Sequence, residues 1–380
     1  MLRTSPTVVE IDLSALRSNF LELRQKIKPS LSILAVVKSD AYGHKASLVA
    51  PVLQEAGVDL FGVGTVDEGI RLREAGIKKP ILILMGPLEA GPELLFEYHL
   101  TPVVENLEVA RSLNKVAEKK GQKLSVHLKV DTGMTRLGVP CREWDSFWND
   151  FKKLNFLQCE GILSHLAEAG DLDYTDFQRK NFQSVLQALA KSGDLPRWRH
   201  LANSVEAIEG AGEDRVNHPS NLVRLGLVLY GAYPIPRLKT KISLKPVLSL
   251  KTKIISLKKV PTGTSISYNR TFKAGRESLI GVLPLGYADG YTRILSNKAS
   301  VLVHGKRAPV VGTICMDLCM VDLTEAGTVS VGDEVVVIGQ QGSDEIRADE
   351  LAAWAGTISY EIFCSLSPRL RSVTRINSPK

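Results

Sequence analysis

The 380-residue chain is short of several things, and each shortage excludes a class of protein. No apolar run approaches the ~20 residues that a membrane-spanning helix needs. The opening Met1-Leu-Arg-Thr-Ser-Pro6 lacks the apolar core of a secretory signal. Cysteine is sparse: Cys141, Cys159, Cys315, Cys319 and Cys364 are odd in number and widely scattered, which argues against a disulfide framework. Cys315 and Cys319 would share one face of a strand, but no histidine or second cysteine pair completes a zinc set. Buried free thiols, no metal and a reducing, cytoplasmic location are the expectations. Aromatic residues form no basic platform and no zinc-finger spacing occurs, so a nucleic-acid partner is not expected.

What is present is ordinary in bulk. Hydrophobic residues make up 44% and charged residues 23%, as in soluble globular proteins. The net charge of +7 is not concentrated. Its densest stretch, Lys239 to Lys259, alternates lysine or serine with apolar residues, as strands with one wet face do. The balance could help to gather an anionic substrate, weakly. The length implies two domains.

The most informative stretch is Ile33-Leu-Ala-Val-Val-Lys38-Ser-Asp-Ala-Tyr42-Gly-His44. Its branched apolar run suits a strand buried on both faces of a parallel sheet, and Ser39 to Gly43 reads as the turn after it. A lysine at the carboxyl end of such a strand stands where α/β proteins do chemistry. Partly desolvated, its amine would have a lowered pKa and could form a Schiff base with an aldehyde cofactor. The plainer reading is a lysine snorkelling out at a strand end.

The remaining pattern bears on that choice. Asp12 caps a helical spacing over 13–23. Strand candidates recur at 33–38, 60–65, 81–86, 101–104, 124–130, 157–164, 198–203 and 222–229, with amphipathic stretches such as 67–76, 105–120 and 177–192 between most of them. This alternation predicts an α/β fold, a (β/α)8 TIM-like barrel over 1–235. After Pro234 short strands separated by turn residues replace the helical period: 244–256, 279–285, 299–304, 307–315, 318–322 and 334–338. They predict a mostly antiparallel β domain over 236–380 with one helix, 348–359. The first ten or so residues are expected to pack with it.

Polar residues cluster at the barrel strand ends: Lys129-Val-Asp131-Thr-Gly-Met-Thr-Arg136-Leu-Gly138, Ser164-His165, His200-Leu-Ala-Asn203-Ser204 and Arg224-Leu-Gly226. Singly, each could be a cap, a satisfied core histidine or a surface arginine. Around one barrel they point to a site.

These segments, with Ala35 to His44, Leu227-Val-Leu-Tyr230, Ser267-Tyr268-Asn-Arg, Gly286-Tyr287-Ala-Asp-Gly-Tyr and Met316-Asp317, resemble in order the bacterial alanine racemase family over about residues 7 to 370. The resemblance implies a barrel followed by a β domain, a head-to-tail homodimer with shared sites, and pyridoxal 5'-phosphate as cofactor. Lys38 would bind the cofactor as an imine. Ser204, the backbone N–H groups of Gly226 and Leu227, and the hydroxyls of Tyr42 and Tyr360 would meet its phosphate. Arg224 would face the pyridine nitrogen and keep it unprotonated, because adjacent cations repel. Return of the proton to Cα is then favoured over transamination or decarboxylation.

Racemisation needs a base on each face of Cα. The resemblance implies Lys38 and Tyr268 of the partner subunit, the phenol being tuned by His165 and Arg224. Arg136, with Met316 and Asp317 of the partner subunit, would receive the substrate carboxylate, and Lys129 would carry a carbamate. The implied activity is interconversion of L- and D-alanine for peptidoglycan. A broader serine/alanine racemase, a decarboxylase and a non-catalytic pyridoxal-phosphate carrier are the alternatives. Ser39, Lys45 and Leu225 depart from the family pattern tolerably. Thr313, where some members have arginine, and Gly170, where some have aspartate, leave the substrate entrance open to question.

Overall fold

The computed structural model describes residues 5–87, 91–210 and 220–375; Met1 to Thr4, part of the segment expected to pack with the β domain, lie outside the described residues. The chain begins with β1 (Val8–Asp12) and α1 (Leu13–Lys26), whose start is capped by Asp12 accepting from Ala15 N at 2.8 Å. The barrel follows as β2 (Ser32–Val36), α2 (Lys38–Tyr42), α3 (Ala46–Ala56), β3 (Leu60–Val63), α4 (Val66–Glu74), β4 (Ile81–Ile83), α5 (Glu93–Glu97), β5 (Leu100–Val104), α6 (Leu107–Lys120) and β6 (Leu124–Asp131). After the short β7 (Val139–Pro140) come α7 (Trp144–Phe151), β8 (Leu157–Leu163), α8 (Leu172–Lys191), β9 (Trp198–His200), α9 (Ser204–Glu209) and β10 (Leu222–Leu225).

Eight parallel strands run in the order β10-β2-β3-β4-β5-β6-β8-β9, with β7 beside β6. Between β9 and β10 the ring is nearly closed rather than fully laddered: Asn221 N donates to Arg199 O at 2.9 Å and Arg224 N to Ala202 O at 3.0 Å. β3, β4 and β10 are buried throughout and β2 from Ile33 on, as their unbroken apolar runs require.

The β domain is built on a sheet ordered 306–309, 300–303, 334–341, 248–253, β1, 371–375. β1 pairs antiparallel with 248–253 and parallel with 371–375, so both ends of the described chain lie in this sheet. A second sheet joins 256–260, 278–283 and 319–322. One apolar core runs through barrel and β domain. At the junction, buried Asn19 donates to Leu229 O (3.1 Å) and Lys245 O (2.8 Å) and accepts from Lys245 N (2.8 Å). Gly231 (φ 82) packs so close to the Lys245 carbonyl that a Cβ would collide with it.

The fold class is the expected one, and the differences are local. The run 222–229 stops being a strand at Leu225, where Gly226 turns the chain into a 3-10 segment, Leu227–Tyr230. The run 307–315 pairs only to Pro309; beyond a single bridge, Val310 to Val321, Gly312 (φ 76) bends it away. Cys315 therefore lies in a loop rather than on a strand face with Cys319, and Cys364 is exposed. The run 244–256 divides at Ile254-Ile255, where the chain passes from one sheet to the other. Helix 348–359 is two helices, α10 (Ala348–Ala355) and α11 (Ser359–Ser365), because Gly356 takes φ 69 and ends the first. α3 was not foreseen: Pro51 inside it masks its helical spacing. No helix among the described residues is long and apolar enough to cross a membrane.

Candidate active site

Lys38 leaves β2 into a left-handed turn. Ser39, Asp40, Ala41 and Tyr42 have φ of 53, 54, 57 and 50° before Gly43 at 78°. Four successive side-chain-bearing residues in this region store strain of about 1–2 kcal/mol each. Identifiable contacts offset it. Glu68 accepts from Ser39 N (2.6 Å) and Gly64 N (2.7 Å), and also completes a capping box with Thr65 at the start of α4. Asp40 accepts from Ala46 N (2.8 Å) and Lys45 Nζ (3.0 Å). His44, fully buried and held neutral at about 4 by burial, donates through Nδ1 to the carbonyls of Ala41 (3.0 Å) and Tyr42 (2.9 Å). A Cβ at Gly43 would collide with the Phe363 carbonyl of α11, so the turn is pressed against the β domain. The sequence assigns no role to Glu68, for which the Thr65-x-x-Glu68 box is the available signal, and marks His44 only as the end of the lysine segment.

Four cations share the barrel mouth. Burial first, then Arg136, lowers the pKa of Lys38, with Glu68 opposing. Lys129, in β6, is pushed down to about 8 by burial, then by Arg136 and Arg224. Arg136 is exposed on a loop held by one carboxylate oxygen: Asp131 Oδ1 accepts from Gly133 N (3.0 Å), Met134 N (3.0 Å) and Thr135 N (3.1 Å). Tyr174 pins the same loop by donating to Gly133 O at 2.6 Å.

Arg224 is 5% exposed and pushed down to about 10 by burial, which still leaves it charged at neutral pH. Its Nη1 donates to His200 O (2.5 Å) and His200 Nδ1 (3.1 Å). Its Nη2 meets Ser164 O (2.8 Å), Leu201 O (3.0 Å) and His165 Nδ1 (3.0 Å). Nε carries none of these bonds. Burial and Arg224 hold His165 well below its usual pKa, so its ring is neutral.

Beside this cluster, Ser204 Oγ accepts from Gly226 N at 3.1 Å. A Cβ on Gly226 would stand 3.0 Å from Tyr42 Oη, so glycine there keeps the approach open. The Tyr42 ring meets Tyr360 of α11 edge-on, centroids 5.5 Å apart, and burial raises both phenol pKa values. Leu227 follows, buried at the start of its 3-10 segment.

The structure thus gathers Lys38, Tyr42, Lys129, Arg136, His165, Ser204, Arg224, Gly226, Leu227 and Tyr360. Tyr268, Met316 and Asp317 stand apart. No hydrogen bond, ion pair or ring contact among the described residues joins them to that cluster within one chain. Tyr268 is 66% exposed, next to Ser267 (φ 64) and Asn269 (φ 60). Asp317 is held by Arg369 at 2.8 Å, and Met316 O accepts from Ala288 N at 3.0 Å. Thr313 is buried and braces the Tyr268 turn: its Oγ1 donates to Tyr268 O (2.9 Å) and its carbonyl accepts from Ser267 Oγ (2.5 Å).

This strand-end geometry accompanies matches to two family models, the alanine racemase N-terminal domain over residues 11–234 and its C-terminal domain over 247–374. The alanine racemase of Geobacter sulfurreducens is 45% identical over 374 residues, 97% of each chain. The chain belongs to the alanine racemase family. As a member it is an isomerase whose reaction is racemisation of alanine. Among solved structures, alanine racemase of Clostridium difficile 630 superposes with a TM-score of 0.91 at 36% identity, covering 98% of this chain and 97% of that one. Alanine racemase of Bartonella henselae, solved with covalently bound pyridoxal phosphate, gives 0.85 at 28% identity over 98% and 100%.

Lys129 gives a signed pH effect. Its pKa is about 8 folded against an ordinary 10.5, so between these values the unfolded chain binds more protons and stability rises with pH. In buffer purged of carbon dioxide, denaturant unfolding of the unmodified protein is expected to strengthen from pH 8 to 10 relative to a Lys129→Met variant. Parallel pH profiles would show that burial does not perturb this amine.

Proposed function

We propose that the cluster at the barrel mouth binds pyridoxal 5'-phosphate and that alanine is racemised there by two bases from two subunits. The observation that carries this reading is the joint placement of a desolvated strand-end lysine, Lys38, and a buried guanidinium, Arg224, whose bonds among the described residues leave Nε–H open. The residues fit the cofactor. Ser204, Gly226, Leu227, Tyr42 and Tyr360 would hold its phosphate, where Gly226 leaves room that a Cβ would fill. His165, bonded to Arg224, would stand beside it, and Arg224 Nε–H would meet the pyridine nitrogen. When bound, the cofactor supplies an electron sink that acidifies the Cα proton of the amino acid.

The chain's own groups do the rest. Lys38 Nζ, whose pKa burial and then Arg136 lower, moves the proton on one face of Cα. Tyr268 Oη of the partner subunit moves it on the other. Its exposure in the single chain and the brace from Thr313 suit a side chain presented across an interface. Arg224, cationic and without a lone pair, would keep the ring nitrogen of the bound cofactor unprotonated, which would disfavour decarboxylation. Arg136 takes the substrate carboxylate together with Met316 and Asp317 of the partner subunit. The enzyme is read as a homodimer in the cytoplasm that supplies D-alanine for peptidoglycan.

Lys129 is read as a carbamate. At a pKa of about 8, about a tenth of the amine is neutral at pH 7 and can add to dissolved carbon dioxide, forming an N–C bond and releasing one proton. The product is an anion beside Arg136 in place of a like charge. Intact mass should show one carbon dioxide that is lost on acidification; unmodified mass, or an unmodified Lys129 in a well-resolved map, contradicts it.

A broader racemase is the second reading, favoured by the entrance. Thr313 is turned inward, and Gly170 offers only its carbonyl, to Arg237 Nη1 at 3.5 Å. The test incubates the enzyme with cofactor and either L-alanine or L-serine and measures product chirality. D-alanine should form much faster than D-serine; comparable rates support the broader racemase. Tyr268→Phe should lower turnover by about 10²–10⁴-fold with the cofactor retained. Absence of any D-product from the unmodified enzyme, cofactor bound, would leave a carrier or decarboxylase.

A further inference from the structure

The hydrogen-bond chain behind Arg224 runs beyond every group used so far. Arg224 Nη1 lies 3.1 Å from His200 Nδ1, and His200 Nε2 lies 2.9 Å from His127 Nδ1. A guanidinium has no lone pair, so His200 Nδ1 is the acceptor and the ring proton of His200 sits on Nε2. That proton is donated to His127 Nδ1, which places the proton of His127 on its own Nε2. Both rings are buried and neutral: burial holds His127 at about 3 and His200 well below its usual value. The chain has a single direction, from Arg224 through His200 to His127.

The barrel makes room for its last member. The register between β6 and β8 shifts between Val126 and His127, where the residue opposite His127 is Gly161. A Cβ on Gly161 would collide with the His127 ring at Nδ1. Gly161 is not among the glycines with positive φ, so the backbone does not demand glycine there, but the ring does. The two imidazoles meet edge-on, centroids 5.1 Å apart. An apolar side chain would fill this volume without burying polar nitrogens, so packing alone does not account for the pair.

We propose that His127 is a positioning residue of the racemase site: by accepting the Nε2 proton of His200 it locks the tautomer whose Nδ1 receives Arg224, and so holds the guanidinium in place. With the proton on Nδ1 instead, two N–H groups would face each other and push the guanidinium out of line. The functional consequence rests on Arg224 standing at the cofactor's ring nitrogen; the tautomer lock does not.

The test compares His127→Asn, whose Oδ1 can still accept near the Nδ1 position, with His127→Leu, which fills similar space and cannot. Turnover is read together with the ring-nitrogen signals of His200 in protein labelled with 15N-histidine. His127→Leu should lower kcat by about ten- to a hundredfold, as loss of an outer hydrogen-bond partner does, with little change in KM. The unprotonated Nδ1 signal of His200 should weaken, and His127→Asn should restore both. Unchanged kcat and unchanged His200 signals in His127→Leu overturn the proposal, as does an Asn variant as impaired as Leu. A changed His200 signal with full activity leaves the lock standing and refutes the role given to Arg224. Should His127→Leu fail to fold, Gly161→Ala displaces the native ring; the same change in His200 is expected, and none overturns the proposal.

Discussion

A buried positive charge that cannot be given up constrains this molecule more than any other single group. Arg224 lies on β10, next to the seam where the barrel ring is least fully laddered. Its guanidinium reaches carbonyls at or just past the ends of β8 and β9, those of Ser164, His200 and Leu201. The same bonds that neutralise the desolvation of the cation therefore tie together the three strand ends around the site. Removing the charge would leave several buried carbonyls without donors, which is costly. The electronic property proposed for the site and the cohesion of that side of the barrel rest on one side chain.

The second constraint is the left-handed turn after Lys38. It is locally unfavourable, and the groups that hold it come from both domains: Glu68 and His44 from the barrel, the Phe363 carbonyl and the Tyr360 ring from α11. A barrel alone would lack half of that clamp. This gives the β domain a role in one chain's own site besides the role proposed for Tyr268 in the partner's. β1, which precedes the barrel, pairs in the same sheet with 248–253, which follows it, and with 371–375, and so fastens the domain to both ends of the barrel's segment of chain.

Much of this was legible in the sequence because it follows from periodicity. The buried runs gave the barrel strands, and Asp12 marked a helix start by its capping chemistry. The strand-end lysine, histidines and arginine were visible as a set only once a barrel had been inferred. What could not be read depends on long-range geometry. Nothing in Lys38-Ser-Asp-Ala-Tyr42 announces four left-handed residues. Glycines at 226 and 356 end elements that the residues beyond them would otherwise continue. Thr313, notable in the sequence only as a departure at the entrance, is also a brace beneath Tyr268, which only its carbonyl and hydroxyl bonds reveal. The direction of the His127–His200–Arg224 chain needs distances that no spacing supplies.

The central claim is that each site is completed by the neighbouring chain, since Lys38 and Tyr268 do not meet within one. Mixed dimers test it most directly. Lys38→Ala and Tyr268→Phe chains, each inactive alone, are unfolded together, reassociated in equal amounts and assayed for D-alanine. Statistical pairing puts one intact Lys38–Tyr268 pair in half of the dimers, so about a quarter of the unmodified activity should return. Mixed dimers that form but stay inactive would place both bases in a single chain and contradict the account.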